Sequence, residues 1–257
     1  MLCTIRIIII LSHNTLYIRK MLILFDIDGT LTISGKQLDD DIINILEKLS
    51  ERYVLGVVSG GKFDKIKWQL RNAEKYFKYI FAECGSVLYI DSNLVYENKI
   101  LNNCNLNVLN EIIKKSLYEI SKMPILYNGG QIDMRSGLVY ISPPGIQSSD
   151  YERNFFIKID EEQHLRMNLL TELKNIDTKD EFDIVLGGSV GISVYPKGWD
   201  KSQIVNYIKN TSNYDKIYFI GDKTEPTGND YTLFIHPSIN GISVKDVDDT
   251  KKKLINF

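Results

Sequence analysis

Apolar positions along this chain fall into two rhythms, and the first is a set of short unbroken runs alternating with helical spacing. Leu22-Ile23-Leu24-Phe25 reads as a strand buried on both faces, as in a parallel sheet covered by helices. Residues 39–51 then place Ile42, Ile43, Ile45, Leu46 and Leu49 at helical steps. Their acidic first turn suits the positive end of a helix. Residues 53–58 predict a second buried strand ending in Ser59-Gly60-Gly61, followed by a helix over about 63–70. Residues 79–85 predict a short third strand, and residues 87–90 begin a hairpin or a connector. Strand, helix, strand, helix, strand is the order of a doubly wound α/β sheet.

The second rhythm begins near residue 97. Leu106, Leu109, Ile112, Ile113, Leu117 and Ile120 mark a helix. Residues 131–135 and 138–142 flank Ser136-Gly137, the composition of a two-residue hairpin turn. Leu165, Leu169, Leu170 and Leu173 continue at helical steps, and residues 182–186 and 190–195 form another strand pair around Gly187-Gly188. Hairpins with helices beside them predict an α+β unit inserted into the first. A helix over 201–208 and a strand over 216–220, ending in Gly221-Asp222, resume the parallel theme. The expected organisation is a core from residues 21–96 and 197–257, with an α+β cap from 97–196 between.

Residues 1–20 precede the first strand as an expected extension, dispensable for chemistry. Their apolar stretch, 5–11 around Arg6, falls far short of the roughly 20 residues of a membrane helix. No small-residue cleavage site stands out before Met21.

Composition narrows the classes. With 44% hydrophobic and 25% charged residues and a net charge of −2, the chain reads as a soluble globular protein. It carries no basic block for nucleic acid and no expected membrane partner. Cys3, Cys84 and Cys104 are scattered, without metal-type spacing, and fit a reducing compartment such as the cytoplasm. His13, His164 and His236 are too dispersed in sequence to propose a zinc site.

The chemistry sits where the first strand ends, in Asp26-Ile27-Asp28-Gly29-Thr30-Leu31-Thr32. A carboxylate leaving a buried strand is costly unless it meets a cation or donors. At the carboxyl end of a parallel strand, where open α/β sheets bind ligands, that cost has a use. One aspartate can attack phosphorus and the other can move the proton, with both near a divalent cation. Further along, a Ser59 hydroxyl can hold a phosphoryl oxygen and Lys201 adds positive charge. Asp222 completes an oxygen-rich Mg²⁺ site.

This order resembles the haloacid dehalogenase superfamily, and within it the eukaryotic-type phosphomannomutases. The carrying segments are Phe25 to Thr32, Gly56-Val57-Val58, Ser142-Pro143, Gly198-Trp199-Asp200-Lys201, and Gly221-Asp222-Lys223-Thr224 with Gly228-Asn229-Asp230. The resemblance implies that Asp26 is the phosphorylated nucleophile and Asp28 the general acid/base. It also implies Mg²⁺ held by Asp26, the Asp28 carbonyl, Asp222 and Phe234. Cap arginines at Arg135 and Arg153 would take the distal phosphate of the sugar, since the planar guanidinium pairs two phosphate oxygens at once. The implied activity interconverts mannose 6-phosphate and mannose 1-phosphate, with a hexose 1,6-bisphosphate as activator and intermediate, for GDP-mannose synthesis. A homodimer through the cap is implied as well, with Leu106 and Leu109 candidates for that face or for a core.

The chain departs from the family at several points. Gly35 stands where an arginine is usual, leaving Lys36 beside it as the basic substrate contact. Ile146 or Gln147 replaces a further cap arginine, and a loop aspartate and threonine linked to a second cation fall at His236 and Ile239. The polar pair that contacts sugar hydroxyls falls at Gly191 and Ser193. The thinned sugar-reading surface keeps a Mg²⁺-dependent sugar-phosphate phosphatase open as the alternative, and a catalytically idle relative as a third.

Overall fold

The computed structural model describes residues 20–255 and 257. The expectation for residues 1–20 therefore lies outside the described residues, except at Lys20. There the backbone N–H donates to the Asp215 carboxylate at 2.8 Å, and the Lys20 carbonyl accepts the Asp215 N–H at 2.9 Å.

In chain order the first elements are β1 (Met21–Phe25), α1 (Asp40–Ser50), β2 (Val54–Val58), α2 (Phe63–Leu70), β3 (Phe77–Ala82), β4 (Val87–Ile90) and β5 (Asn93–Glu97). The inserted part holds α3 (Leu106–Ile120), β6 (Ile132–Met134), β7 (Val139–Ile141), α4 (Asp150–Gln163), α5 (Leu165–Ile176), β8 (Phe182–Gly187) and β9 (Gly191–Pro196). The chain closes with α6 (Ile204–Thr211), β10 (Lys216–Gly221), α7 (Tyr231–Phe234), β11 (Asn240–Ser243) and α8 (Val247–Leu254).

One seven-stranded sheet runs in the order β11-β10-β1-β2-β3-β4-β5. Its first five strands are parallel and the last two antiparallel. From β1 the chain winds outward through β2 and β3, and after the insertion it returns to β10 on the other side of β1. The topological switch point therefore lies between β1 and β10, the crevice where such sheets bind ligands.

The unbroken apolar run of β1 follows from this position. Ile23 and Phe25 pack with Ile42 and Leu46 of α1 on one face, while Leu22 and Leu24 pack with Ile204 and Ile208 of α6 on the other. Alternation across the pleat demands apolar residues at every step when both faces are covered. Asp39 caps α1, its carboxylate accepting the Ile42 N–H at 2.9 Å.

The expected third strand stops at Ala82. Glu83, Cys84 and Gly85 form a tight 3₁₀ turn instead, with φ of 50°, 58° and 94°. Residues 87–90 open a hairpin, as one of the two readings had it, with a turn at Asp91-Ser92 whose φ values are both positive, 48° and 63°. That is the geometry that matches strand twist in two-residue hairpins.

The second sheet has the order β6-β7-β9-β8 and is antiparallel throughout. Val139, Ile141, Ile192 and Val194 turn one face onto Ile112, Phe156 and Leu173 of the cap helices. The other face carries Asp133, Tyr140, Val185, Ser193 and Tyr195, and meets the core at Cys84 and Trp199. The Ser136-Gly137 hairpin forms as read, the Arg135 N–H donating to the Leu138 carbonyl at 2.9 Å. Leu109 is buried in the cap core, whereas Leu106 is half exposed.

Candidate active site

Asp26 follows β1 directly, its backbone N–H still bonded to the Ile220 carbonyl of β10 at 2.9 Å. Its side chain is almost fully buried. Lys201, wholly buried in the 3₁₀ turn Lys201–Gln203, donates its ammonium to Asp26 Oδ1 and, at 2.6 Å, to Asp230 Oδ1. Asp230 in turn accepts the Lys223 backbone N–H at 3.1 Å through its other oxygen. Asp222, just beyond β10, brings a third carboxylate, and Asp26, Asp222 and Asp230 offer oxygens that all lie within 4.8 Å of one another.

Three carboxylates around one ammonium leave an excess of negative charge. Burial pushes the Asp26 carboxyl up to about 7, Lys201 working against it and Asp230 and Asp222 reinforcing it. Burial and Asp230 raise Asp222 likewise. For Lys201 burial favours the neutral amine, but Asp230 and Asp26 outweigh it and hold the ammonium. Asp222 Oδ1 is buried without a hydrogen-bond partner. A hard divalent cation fits this donor set, since it would satisfy that oxygen and offset the charge. Close approach is built into the loop. Gly29 sits at φ +96°, and a Cβ there would lie 2.3 Å from Asp222 Oδ2.

Asp28 points elsewhere. Its carboxylate accepts the Gly35 N–H at 2.7 Å, Gln69 Nε2 at 2.8 Å and Lys65 Nζ at 3.0 Å. Burial alone would raise its pKa, but the Lys65 charge and these donors hold it below the usual carboxylate range. The Asp28 side chain is thus kept ionised and outside the three-carboxylate group. Lys65 and Gln69 lie four apart on one face of α2.

Ser59, expected to hold a phosphoryl oxygen, is buried at the end of β2, its hydroxyl accepting the Gly61 N–H at 3.1 Å. Lys36, expected as a basic substrate contact, has its ammonium on Asp150 at the start of α4 at 2.6 Å, and the lysine that reaches the Asp28 carboxylate is Lys65. Phe234 closes α7 with its carbonyl turned to Gly241, where a Cβ would lie 2.4 Å away. His236 Nδ1 accepts the Ser238 N–H at 3.1 Å, and Ile239 packs against the apolar layer under β10.

On the cap side, Arg135 donates Nε to Asp133 at 2.7 Å and an Nη to the Gly60 carbonyl at 2.6 Å, beside Ser59. Those bonds use two of its five N–H donors. Arg153 on α4 reaches Ser189 Oγ at 3.3 Å. Ser193 is buried in the core-facing side of the cap sheet. Asp230, Lys65, Gln69 and Tyr140 were not singled out from the sequence. Asp230 closed a motif already noted, whereas Lys65 and Gln69 carried no local sign in the sequence.

A carboxylate ending β1, a buried lysine joining it to a second, and a third across the switch point define the haloacid dehalogenase type of site. Residues 42–257 match the family model described as eukaryotic phosphomannomutase. A phosphomannomutase of Babesia bovis is 34% identical over 242 residues, covering 92% of this chain and 97% of that protein. One of Arabidopsis thaliana is 32% identical over 232 residues, covering 90% and 93%. Among solved structures, an IMP-nucleotidase of Plasmodium falciparum superposes with a TM-score of 0.64 at 16% identity, covering 93% of this chain and 69% of that one. The chain belongs to the eukaryotic phosphomannomutase family.

Proposed function

We propose that this protein interconverts mannose 6-phosphate and mannose 1-phosphate through a phosphorylated Asp26. The observation that carries the reading is the Asp26 carboxylate, buried against Lys201 beneath a cap that presents Arg135 and Arg153. Relatives of this length and identity named phosphomannomutase support it. The phosphatase alternative is not favoured, because the phosphatases among the neighbours share the fold at under 20% identity.

In the proposed cycle Asp26 first takes a phosphoryl group from a hexose 1,6-bisphosphate. A sugar monophosphate then enters, and its free hydroxyl attacks the phospho-aspartate. Asp28, held ionised by Lys65 and Gln69, accepts that hydroxyl's proton as the bond to phosphorus forms. The bisphosphate turns around, and Asp26 attacks its other phosphate while Asp28 returns the proton to the leaving sugar oxygen. Lys201 and the Ser59 hydroxyl stabilise charge on the transferring oxygens. A Mg²⁺ ion held by Asp26, Asp222 and the Asp28 carbonyl would neutralise the phosphoryl charge. Arg135 and Arg153 grip the distal phosphate in either orientation, and the cap keeps water from the phospho-aspartate.

The reading extends to a cytoplasmic enzyme, dimeric through the cap, that supplies GDP-mannose synthesis, on the strength of the family resemblance. Among the described residues no helix is long and apolar enough to cross a membrane.

The test supplies mannose 1-phosphate, Mg²⁺ and a trace of hexose bisphosphate, and follows mannose 6-phosphate and free phosphate together. Isomer without phosphate is expected. Phosphate without isomer would replace the reading with a phosphatase.

A further inference from the structure

Lys62 stands at the position that caps the N-terminus of α2, where it makes no side-chain capping bond. Serine, threonine, asparagine or aspartate is the stabilising choice there, and a lysine brings positive charge to the positive end of the helix. Its ammonium goes instead to the cap, onto Asp133 Oδ1 of β6 at 2.7 Å. The Asp133 side chain is 11% exposed, and its other oxygen accepts Arg135 Nε at 2.7 Å. One cap carboxylate therefore meets a core lysine on one side and the cap arginine on the other. Burial alone would raise the pKa of Asp133, but the bonds from Lys62 and Arg135 hold it below the usual carboxylate range.

Arg135 is fixed from three sides. Asp133 takes Nε, the Gly60 carbonyl takes an Nη at 2.6 Å, and the Tyr140 ring lies under the guanidinium, 4.7 Å away at its centroid. Gly60 and Lys62 belong to the same core loop after β2, so both contacts across the boundary land on one short segment. Close by in sequence, the Gly137 N–H is seated on the buried Glu83 carboxylate at 2.7 Å. Lifting the hairpin off the core breaks the Lys62 and Gly60 contacts together and leaves Arg135 with Asp133 and Tyr140 alone. Full aim of the guanidinium and closure of the cap are therefore one event. A carboxylate shared between two charged donors suits that purpose, because each donor restricts the carboxylate for the other.

We propose that Asp133 is a positioning residue of this enzyme, aiming Arg135 at the distal phosphate of the sugar and, through Lys62, tying that aim to closure of the cap. This rests on the mutase reading for the role of Arg135 on the distal phosphate. A sugar phosphate held by Arg135 then stabilises the shut cap, and the shut cap keeps water from the phospho-aspartate. Asp133 acts through its two partners, both of its oxygens being taken.

The experiment compares wild type with Lys62→Met, Asp133→Asn and the double variant. Amide hydrogen exchange at Gly137, without substrate, reads the seating of the cap. Turnover of mannose 1-phosphate with Mg²⁺ and hexose bisphosphate reads KM, kcat and the ratio of free phosphate to isomer. Lys62→Met is expected to speed exchange at Gly137 about two- to fivefold, the range of a partly exposed pair. It raises the phosphate ratio by a similar factor and leaves KM within about twofold. Asparagine keeps the size of Asp133 but offers one acceptor oxygen to two donors. Asp133→Asn therefore raises KM about tenfold, with a smaller change in kcat. The two changes are less than additive at Gly137, since they remove the same pair. Raising the salt from about 0.05 M to about 0.5 M lifts the phosphate ratio of wild type and leaves that of Lys62→Met flat. Unchanged exchange or an unchanged ratio in Lys62→Met overturns the proposal, as does an unchanged KM in Asp133→Asn. Should Asp133→Asn fail to fold, Lys62→Met, at a side chain 49% exposed, still decides. If wild type yields no isomer, the mutase reading falls, and exchange at Gly137 still decides whether Lys62 ties the cap to the core.

Discussion

Asp26, pushed up to about 7 by burial, and Asp28, held low by Lys65 and its donors, answer pH in opposite senses. An unfolded aspartate titrates near 3.9. The metal-free fold therefore favours a protonated Asp26, a contribution fully present below about 4 and lost as pH rises through about 7. Asp28 contributes above about 4, and that contribution is lost as pH falls. Without divalent cations, Asp26→Asn should gain Tm over wild type as pH climbs from 4 to 7, and added Mg²⁺ should narrow the gap; thermal unfolding across that range checks it. The same variant should lose at least about a thousandfold in turnover. Lys65→Met should move the acid limb of the kcat/KM profile to higher pH, because the Asp28 carboxylate loses its nearest positive charge. Asp26, Asp28, Lys201 and Asp222 were legible because motif spacing carries them. Lys65 and Gln69 were not, since their worth lies in meeting Asp28 from 37 and 41 residues away.

The loop after β1 is an element whose shape depends on one residue. Gly29→Ala adds an atom against Asp222 at a φ that side chains rarely adopt. Magnesium titration of activity should show a half-saturating concentration raised by about tenfold or more. Gly35→Ala, with φ +74° but nothing within 4 Å of its Cβ, should bear backbone strain alone and leave that titration nearly unchanged. Elements buried on both faces were the most legible, β1 and β2 above all. The third strand was read too long because Glu83 and Cys84 are buried like strand residues while their backbone is already turning. β11, α7 and α8 were not read at all. Asn240-Gly241-Ile242-Ser243 lacks an apolar run, and α8 buries only Thr250 and Leu254 among its charges.

Between the two sheets, contacts of very different worth hold the cap against the core. Lys36 and Asp150 form a pair with side chains 52% and 74% exposed, and such pairs contribute about 0–1 kcal/mol. The buried Glu83 carboxylate accepts the Gly137 N–H at 2.7 Å, and a Cβ on Gly137 would collide with Ser86 at 2.1 Å. Lys36→Ala should shift Tm by no more than about 4 °C. Glu83→Ala leaves a buried N–H unpaired, costing about 1–3 kcal/mol. It should lower Tm further and raise the ratio of free phosphate to isomer as the cap seals less well. The two rhythms of the sequence predict a core and an insertion, and the structure holds two separate sheets. The seating of one on the other was not legible, because it depends on meetings such as Arg135 with the Gly60 carbonyl, 75 residues apart.

The placing of β1 between β2 and β10 also bears on how the molecule is made. A ribosome delivers β2 soon after β1, but β10 begins only at Lys216, so for most of translation one apolar strand keeps an uncovered edge. Such edges are templates for pairing with the wrong chain. Premature termination before Lys216 should therefore yield insoluble polypeptide that burdens chaperones, with no partially working enzyme among the products.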